Sequence, residues 1–216
     1  MTRRMPVSRR MPAPRRVFLL SPARCDGVRM SILRRPAARF PLAMELRSEA
    51  GAALGEVFAF ASGLYFRGKL AYARTFGASW VITPGAGLVE PERRITPADL
   101  DVWERVRVDL EDARYRRPLE RDARALAARL PEAEVVLLGS IASDKYVDLL
   151  LEVFDDRLHF PVDFVGRGDM SRGGLLLRSA RSGTELRYRP VRGAVRHGPR
   201  PPRLPRLPRT GGVKSA

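Results

Sequence analysis

Cysteine, histidine and lysine are nearly missing from this sequence of 216 residues. The single cysteine, Cys25, cannot close an internal disulfide, which points to a reducing, cytoplasmic setting. It also lacks a histidine partner, so an inert or merely exposed thiol is expected rather than a nucleophile. Two histidines, His159 in a strand-like run and His197 near the C-terminus, supply too few donors for a zinc-type site, and no metal or cofactor is expected. No glycine loop leads into a Walker-type lysine. GxGxxG is also missing, because the run that begins Gly166-Arg167-Gly168 reaches Ser171 where the third glycine would stand. Long apolar runs are absent, which argues against a membrane span. VFLL at 17–20 is too short for the apolar core of a signal peptide.

The net charge of +16 is unevenly spread. Residues 1–16 hold six arginines and no acid, residues 190–216 hold seven basic residues and no acid, and the stretch between is left with about +3. Only Lys69, Lys145 and Lys214 are lysine among 40 basic residues, which fits the coding bias of a GC-rich genome and weakens any argument from arginine number alone. The two Pro/Arg-rich ends have no apolar periodicity. The expected organisation is a disordered basic tail over 1–16, one α/β domain over 17–191 and a disordered Pro/Arg tail over 192–216. Met1, Met5 and Met11 all precede the first strand, so the first tail is open to reading as the product of an upstream start codon.

Residues 134–153 organise the rest. Val135–Leu138 is an apolar, β-branched run suited to a strand buried on both faces. Gly139 and Ser140 break it, and from Ile141 to Val153 the spacing predicts a helix with Asp144, Lys145, Asp148 and Glu152 on its polar side. Further strands are expected at Val17–Leu20, Trp80–Ile82, Arg157–Val162 and Thr184–Val191, the last an edge strand closed by Pro190. Residues 21–31 and 84–100 read as polar and Gly/Pro loops, with Thr96 capping a helix over about 97–104. Helices are expected over 36–47, with a restart at Pro41, over 54–76, with a break at Gly63 or Gly68, and over 114–130. Leu175–Arg181 is open to helix or strand, with helix favoured. This order predicts a three-layer α/β fold with a mostly parallel central sheet of about five strands and helices on both faces.

Ligands of open α/β sheets bind beyond the carboxyl ends of the strands. Three loops there carry similar chemistry: Ser21, Arg24 and Arg29 after the first strand, Thr83 after the second, and Gly139, Ser140 and Lys145 after the third. Glycines admit close backbone approach, exposed N–H groups attract anions, and arginine offers a bidentate fork. Each loop alone reads as ordinary α/β architecture; their coincidence predicts an anion-tolerant pocket. Arg67 and Lys69 are candidate contacts to a phosphate or base, although packing around Leu64, Leu70 and Tyr72, with both cations on a solvated flank, is the stronger reading. Arg167, Asp169 and Arg172 lie in a glycine loop that is either a lid or a plain turn. Asp144 and Asp169 are the candidate proton-transfer groups, and no spacing marks them as a pair.

LLSPARCDGVR, EVFAFASGLYFRGKLAYAR, WVITPGAGLVEP, VVLLGSIASDKYVDLLLEVF and FVGRGDMSRGG together resemble a bacterial family of uncharacterised proteins. Their order is more distantly similar to the peroxide-resistance protein YaaA family and to domains of archaeal tRNA-modifying enzymes. That resemblance implies a three-layer α/β fold and contact with nucleotides or nucleic acid. The chain departs from it in having Arg24 and Arg29 where some relatives have a lysine-rich first loop. Three functions are carried forward: binding of a nucleotide, nucleobase or phosphorylated small molecule at the strand ends, with or without catalysis; nucleic-acid binding through the basic tails; and a protein-interaction module without a ligand. No membrane partner is expected, and no motif names a reaction or an oligomeric state.

Overall fold

The structure, a computed structural model, describes residues 15–202 and 204. The tail expected at 1–16 therefore lies outside the described residues except for Arg15 and Arg16, and that expected at 192–216 is described at 192–202 and 204. In chain order the elements are β1 (Arg16–Leu20), α1 (Val28–Arg34), α2 (Pro41–Arg47), β2 (Ala52–Ala53), α3 (Leu54–Ser62), α4 (Leu64–Phe76), β3 (Ala78–Thr83), β4 (Gly87–Val89), β5 (Arg94–Ile95), α5 (Pro97–Glu104), α6 (Ala113–Arg129), β6 (Glu134–Leu138), α7 (Val147–Phe154), β7 (Leu158–Pro161), α8 (Asp169–Ser182) and β8 (Tyr188–Pro190). Short 3-10 turns at 155–157 and 162–164 flank β7.

The main sheet has the order β4-β3-β1-β6-β7-β8. β3, β1, β6 and β7 are parallel, in register from Arg16 opposite Glu134 to Leu20 opposite Leu138, while β4 and β8 close the two edges antiparallel. The fold is α/β with a mostly parallel sheet. Its six strands exceed the expected five, and β2 and β5 form a separate two-stranded ribbon. The extra main-sheet strand is β4, inside the stretch expected to be a loop. Thr83 Oγ1 accepts from the Ala86 N–H and donates to the Gly87 carbonyl, both at 3.0 Å, and Gly87 takes φ +68°, so the chain doubles back on β3.

Alternate side chains leave β1 and β6 on opposite faces. Phe18, Leu20, Val136 and Leu138 join one apolar cluster; Val17, Leu19, Val135 and Leu137 join another. All four residues of Val17–Leu20 are fully buried, as an unbroken apolar strand requires. The first cluster holds residues of α1–α5 and α8, the second residues of α6 and α7.

Two boundaries differ from expectation. Residues 28–34 are helical, not loop. After β6, the helix starts at Val147 rather than Ile141, because the Tyr146 hydroxyl accepts from the Ser140 N–H (3.2 Å) and turns back to the Ser140 carbonyl (3.3 Å). That clasp holds residues 140–146 as a turn, with Tyr146 at φ −153°. Asp144 and Lys145 therefore lie in this turn and not on a helix face.

Gly63 is the break between α3 and α4, at φ +62°. Gly68 stays helical and has another role. A Cβ at Gly68 would stand 2.6 Å from the Gly173 carbonyl oxygen, and one at Gly173 would stand 2.6 Å from that of Leu64. The paired glycines let α4 and α8 pack backbone against backbone.

Candidate functional site

Helical spacing explains what α4 buries. Tyr65, Lys69 and Tyr72 recur at i, i+4 and i+7, so one stripe of the helix faces the sheet. Lys69 lies in that stripe, 2% exposed, with its ammonium position 4.2 Å from the Tyr65 ring centre and 5.0 Å from that of Phe66. Arg67, two residues away, points to the other side and is exposed. The expectation that both cations share a solvated flank is therefore corrected for Lys69, because two residues on a helix are separated by more than half a turn.

Lys69 Nζ reaches the carboxyl end of β1. It lies 2.9 Å from the Ser21 carbonyl oxygen and 2.8 Å from Ser21 Oγ. Among the described residues no carboxylate pairs with it. Taking an ammonium out of water without a counter-ion favours the neutral amine, and burial lowers the Lys69 pKa to about 7. Asp169 opposes that shift and Arg172 reinforces it. The amino edge of the sheet is built the other way: Arg16 is held there by Glu134 and Glu185, at 2.9 and 2.7 Å.

The strand ends meet around this pair. Ser21 N–H donates to the Leu138 carbonyl (3.3 Å), which ties the end of β1 to that of β6. Gly139 follows. A Cβ there would stand 2.8 Å from Ser21 Cβ and 2.9 Å from Tyr146 Oη, so a bare backbone is what lets those residues approach. The Tyr146 hydroxyl is hydrogen-bonded to Ser140, and burial raises its pKa, with Ser21 and Ser143 acting in the opposite sense. Tyr65 Oη is buried with no hydrogen-bond partner. Burial also raises the Tyr65 pKa, with Arg172 acting in the opposite sense. Arg172 itself donates to the Phe164 carbonyl (3.2 and 3.1 Å), stacks over the Phe164 ring and lies 3.5 Å from Asp169.

The structure thus brings Ser21, Lys69, Gly139 and Ser140 together, with Asp169 and Arg172 close enough for their charges to act on Lys69. It does not gather the others there. Thr83 is fully buried and committed to the turn before β4. Arg24 is exposed and paired with Asp26 at 3.0 Å. Asp144 and Lys145 are exposed in the turn after β6. Arg167 donates to Ser171 Oγ and to the Pro202 carbonyl, both at 3.2 Å. Asp169, exposed in the first turn of α8, reaches Lys69 through its charge alone. Tyr65 and Tyr146 were not singled out as site residues in the sequence. Tyr65 had a readable signal, an aromatic four residues before a lysine on an apolar stripe; the role of Tyr146 depends on a contact across the turn.

A second feature lies beside this cluster. A cleft of about 630 Å³ opens between α3 and the first turns of α1, α4 and α8, lined by Arg29, Leu42, Phe60, Leu64, Arg67 and Met170 and by Glu56, which is paired with Arg74 at 2.8 Å. Arg29 makes one long contact, 3.5 Å to the Phe60 carbonyl. The Arg67 side chain has no hydrogen-bond or ion-pair partner among the described residues. Gly63 leaves room for Arg29, whose guanidinium would lie 2.5 Å from a Cβ at that position.

Cys25 is buried, and burial first, then Asp26 and Glu104, push its thiol up to about 12. His159 faces the Arg157 carbonyl at 3.0 Å. Among the described residues no cluster of metal-ligating side chains occurs, and no helix is long and apolar enough to cross a membrane. No protein-family model, curated protein or solved structure matches the chain.

Proposed function

We propose that this protein, on a three-layer α/β frame, binds an anionic small molecule with an apolar or aromatic body at the carboxyl rim of its sheet. A nucleotide, a nucleobase or a phosphorylated metabolite is the class that fits. The observation that carries the reading is the cleft in which Arg29 and Arg67 stand over an apolar floor without carboxylate partners, the one carboxylate of its lining, Glu56, being engaged by Arg74. Guanidinium groups left unpaired in a concave site favour phosphate or carboxylate, and Leu42, Phe60, Leu64 and Met170 offer contact to a flat apolar body. About 630 Å³ is within the range of small-molecule sites.

Thermal melting of the full chain against nucleotides, nucleobases and phosphorylated metabolites tests this. A ligand bound at about 100 times its Kd adds roughly 2.7 kcal/mol to stability. One class should raise the melting temperature, and the Arg29→Glu/Arg67→Glu variant should lose that rise. A shift that survives the double variant would remove the cleft from the reading; a blank plate would favour an interaction module without a ligand. A second reading, nucleic-acid binding, rests on the arginines concentrated in residues 1–16 and 190–216. It requires affinity that falls steeply with salt.

A further inference from the structure

The geometry points to Ser21 and Lys69 as a nucleophile–base pair for acyl transfer, in which Ser21 Oγ attacks the carbonyl carbon of an ester or thioester and Lys69 Nζ receives its proton. This rests on residues outside the cleft and stands or falls apart from it.

The hydrogen-bond inventory assigns the roles. Lys69 is 2% exposed and has no carboxylate partner among the described residues, so burial favours the neutral amine, against the pull of the Tyr65 and Phe66 ring faces on the ammonium. A neutral amine has one lone pair to offer. Its two polar neighbours are the Ser21 carbonyl oxygen, which can only accept, and the Ser21 hydroxyl, which can donate. An N–H goes to the carbonyl at 2.9 Å; at Ser21 Oγ, 2.8 Å away, the ammonium donates, and the neutral amine can turn its lone pair to take the hydroxyl proton. That is the contact a general base needs.

Ser21 follows the last residue of β1 at the rim, and Lys69 reaches it from α4; both are buried, Ser21 at 7% and Lys69 at 2% exposure. Tyr146, through its clasp on Ser140 and its close approach with Ser21 over Gly139, acts as a positioning residue. Asp169 and Arg172 enter from α8, and Tyr65 from α4, as the other titratable groups whose charge or proton affinity bears on the pair.

The step balances without a cofactor. The Ser21 Oγ–carbon bond forms as the hydroxyl proton moves to Lys69 Nζ, giving a tetrahedral oxyanion. Collapse expels the alkoxide or thiolate, which takes the proton back from Nζ. Water then attacks the acyl-Ser21 ester with Lys69 again as base, releasing the carboxylic acid and the free serine.

An alkyl fluorophosphonate, followed by intact-mass and peptide analysis of the full chain, tests the pairing. One adduct on Ser21 is expected, with a rate that rises as Lys69 loses its proton. Ser21→Ala should give none. Lys69→Met and Lys69→Arg, checked for folding by circular dichroism, should react about 100-fold more slowly or less, in line with loss of a general base. The wild-type pH profile needs no variant and guards against misfolding. Absence of an adduct, an adduct on another residue, or Lys69→Met reacting at the wild-type rate would each overturn the pairing and leave Lys69 as a prop for the end of β1. A nucleotide-induced melting shift without labelling would sink this inference alone; labelling without any melting shift would sink only the cleft.

Discussion

Replacing Lys69 by methionine should change how stability depends on pH. Methionine keeps the length of the stem and removes the charge. In the native protein burial lowers the Lys69 pKa from 10.5 to about 7. Between those values the unfolded chain holds a proton that the folded one has lost, so this group makes stability rise with pH over that window. Below about pH 7 the full penalty of burying the ammonium is present; above 10.5 it is gone. The slope is at most about 1.4 kcal/mol per pH unit. Because the native amine is already half protonated near pH 7, the gain from about pH 7 to about pH 9 comes to about 2 kcal/mol. Urea unfolding of wild type and Lys69→Met at both pH values gives this as a double difference, in which the other titrating groups cancel. Wild type should gain about 2 kcal/mol on the variant. A difference that stays flat would refute the neutral, buried amine.

Other consequences are narrower. Gly173→Ala places a Cβ 2.6 Å from the Leu64 carbonyl oxygen and should lower stability by about 1–3 kcal/mol through overpacking. Gly174→Ala, whose Cβ meets only Leu204 Cδ1 at 3.6 Å, should raise it by about 0.5–1 kcal/mol, so the two urea midpoints should move in opposite directions. Cys25, pushed up from 9.0 to about 12, should carry roughly a thousandfold less thiolate when folded than unfolded, and native alkylation near pH 8 should be slowed at least that much.

The strands most legible in the sequence are those buried on both faces. Val17–Leu20 and Val135–Leu138 announce themselves because nothing polar interrupts them, and their parallel pairing brings Ser21 and Gly139 to one rim as the spacing predicts. β4 was hidden because three residues after a glycine turn have no periodicity to read; its place is fixed by Thr83 and by Asp122, which accepts from the Leu88 N–H at 3.0 Å. The late start of α7 was hidden because Ile141 and Tyr146 fit helical spacing, and only the Tyr146–Ser140 clasp forbids it. Lys69 was half legible. Its spacing from Tyr65 and Tyr72 puts it on the apolar stripe of α4, but its partner lies 48 residues away in sequence, and no local pattern encodes that contact.

Lysine titration by NMR with 13Cε labelling addresses the buried amine most directly, because the chain has only Lys69, Lys145 and Lys214 to resolve. One resonance, lost in Lys69→Met, should titrate near 7. That resonance titrating near the ordinary lysine value of about 10.4 would contradict an amine sealed against Ser21 without a counter-ion.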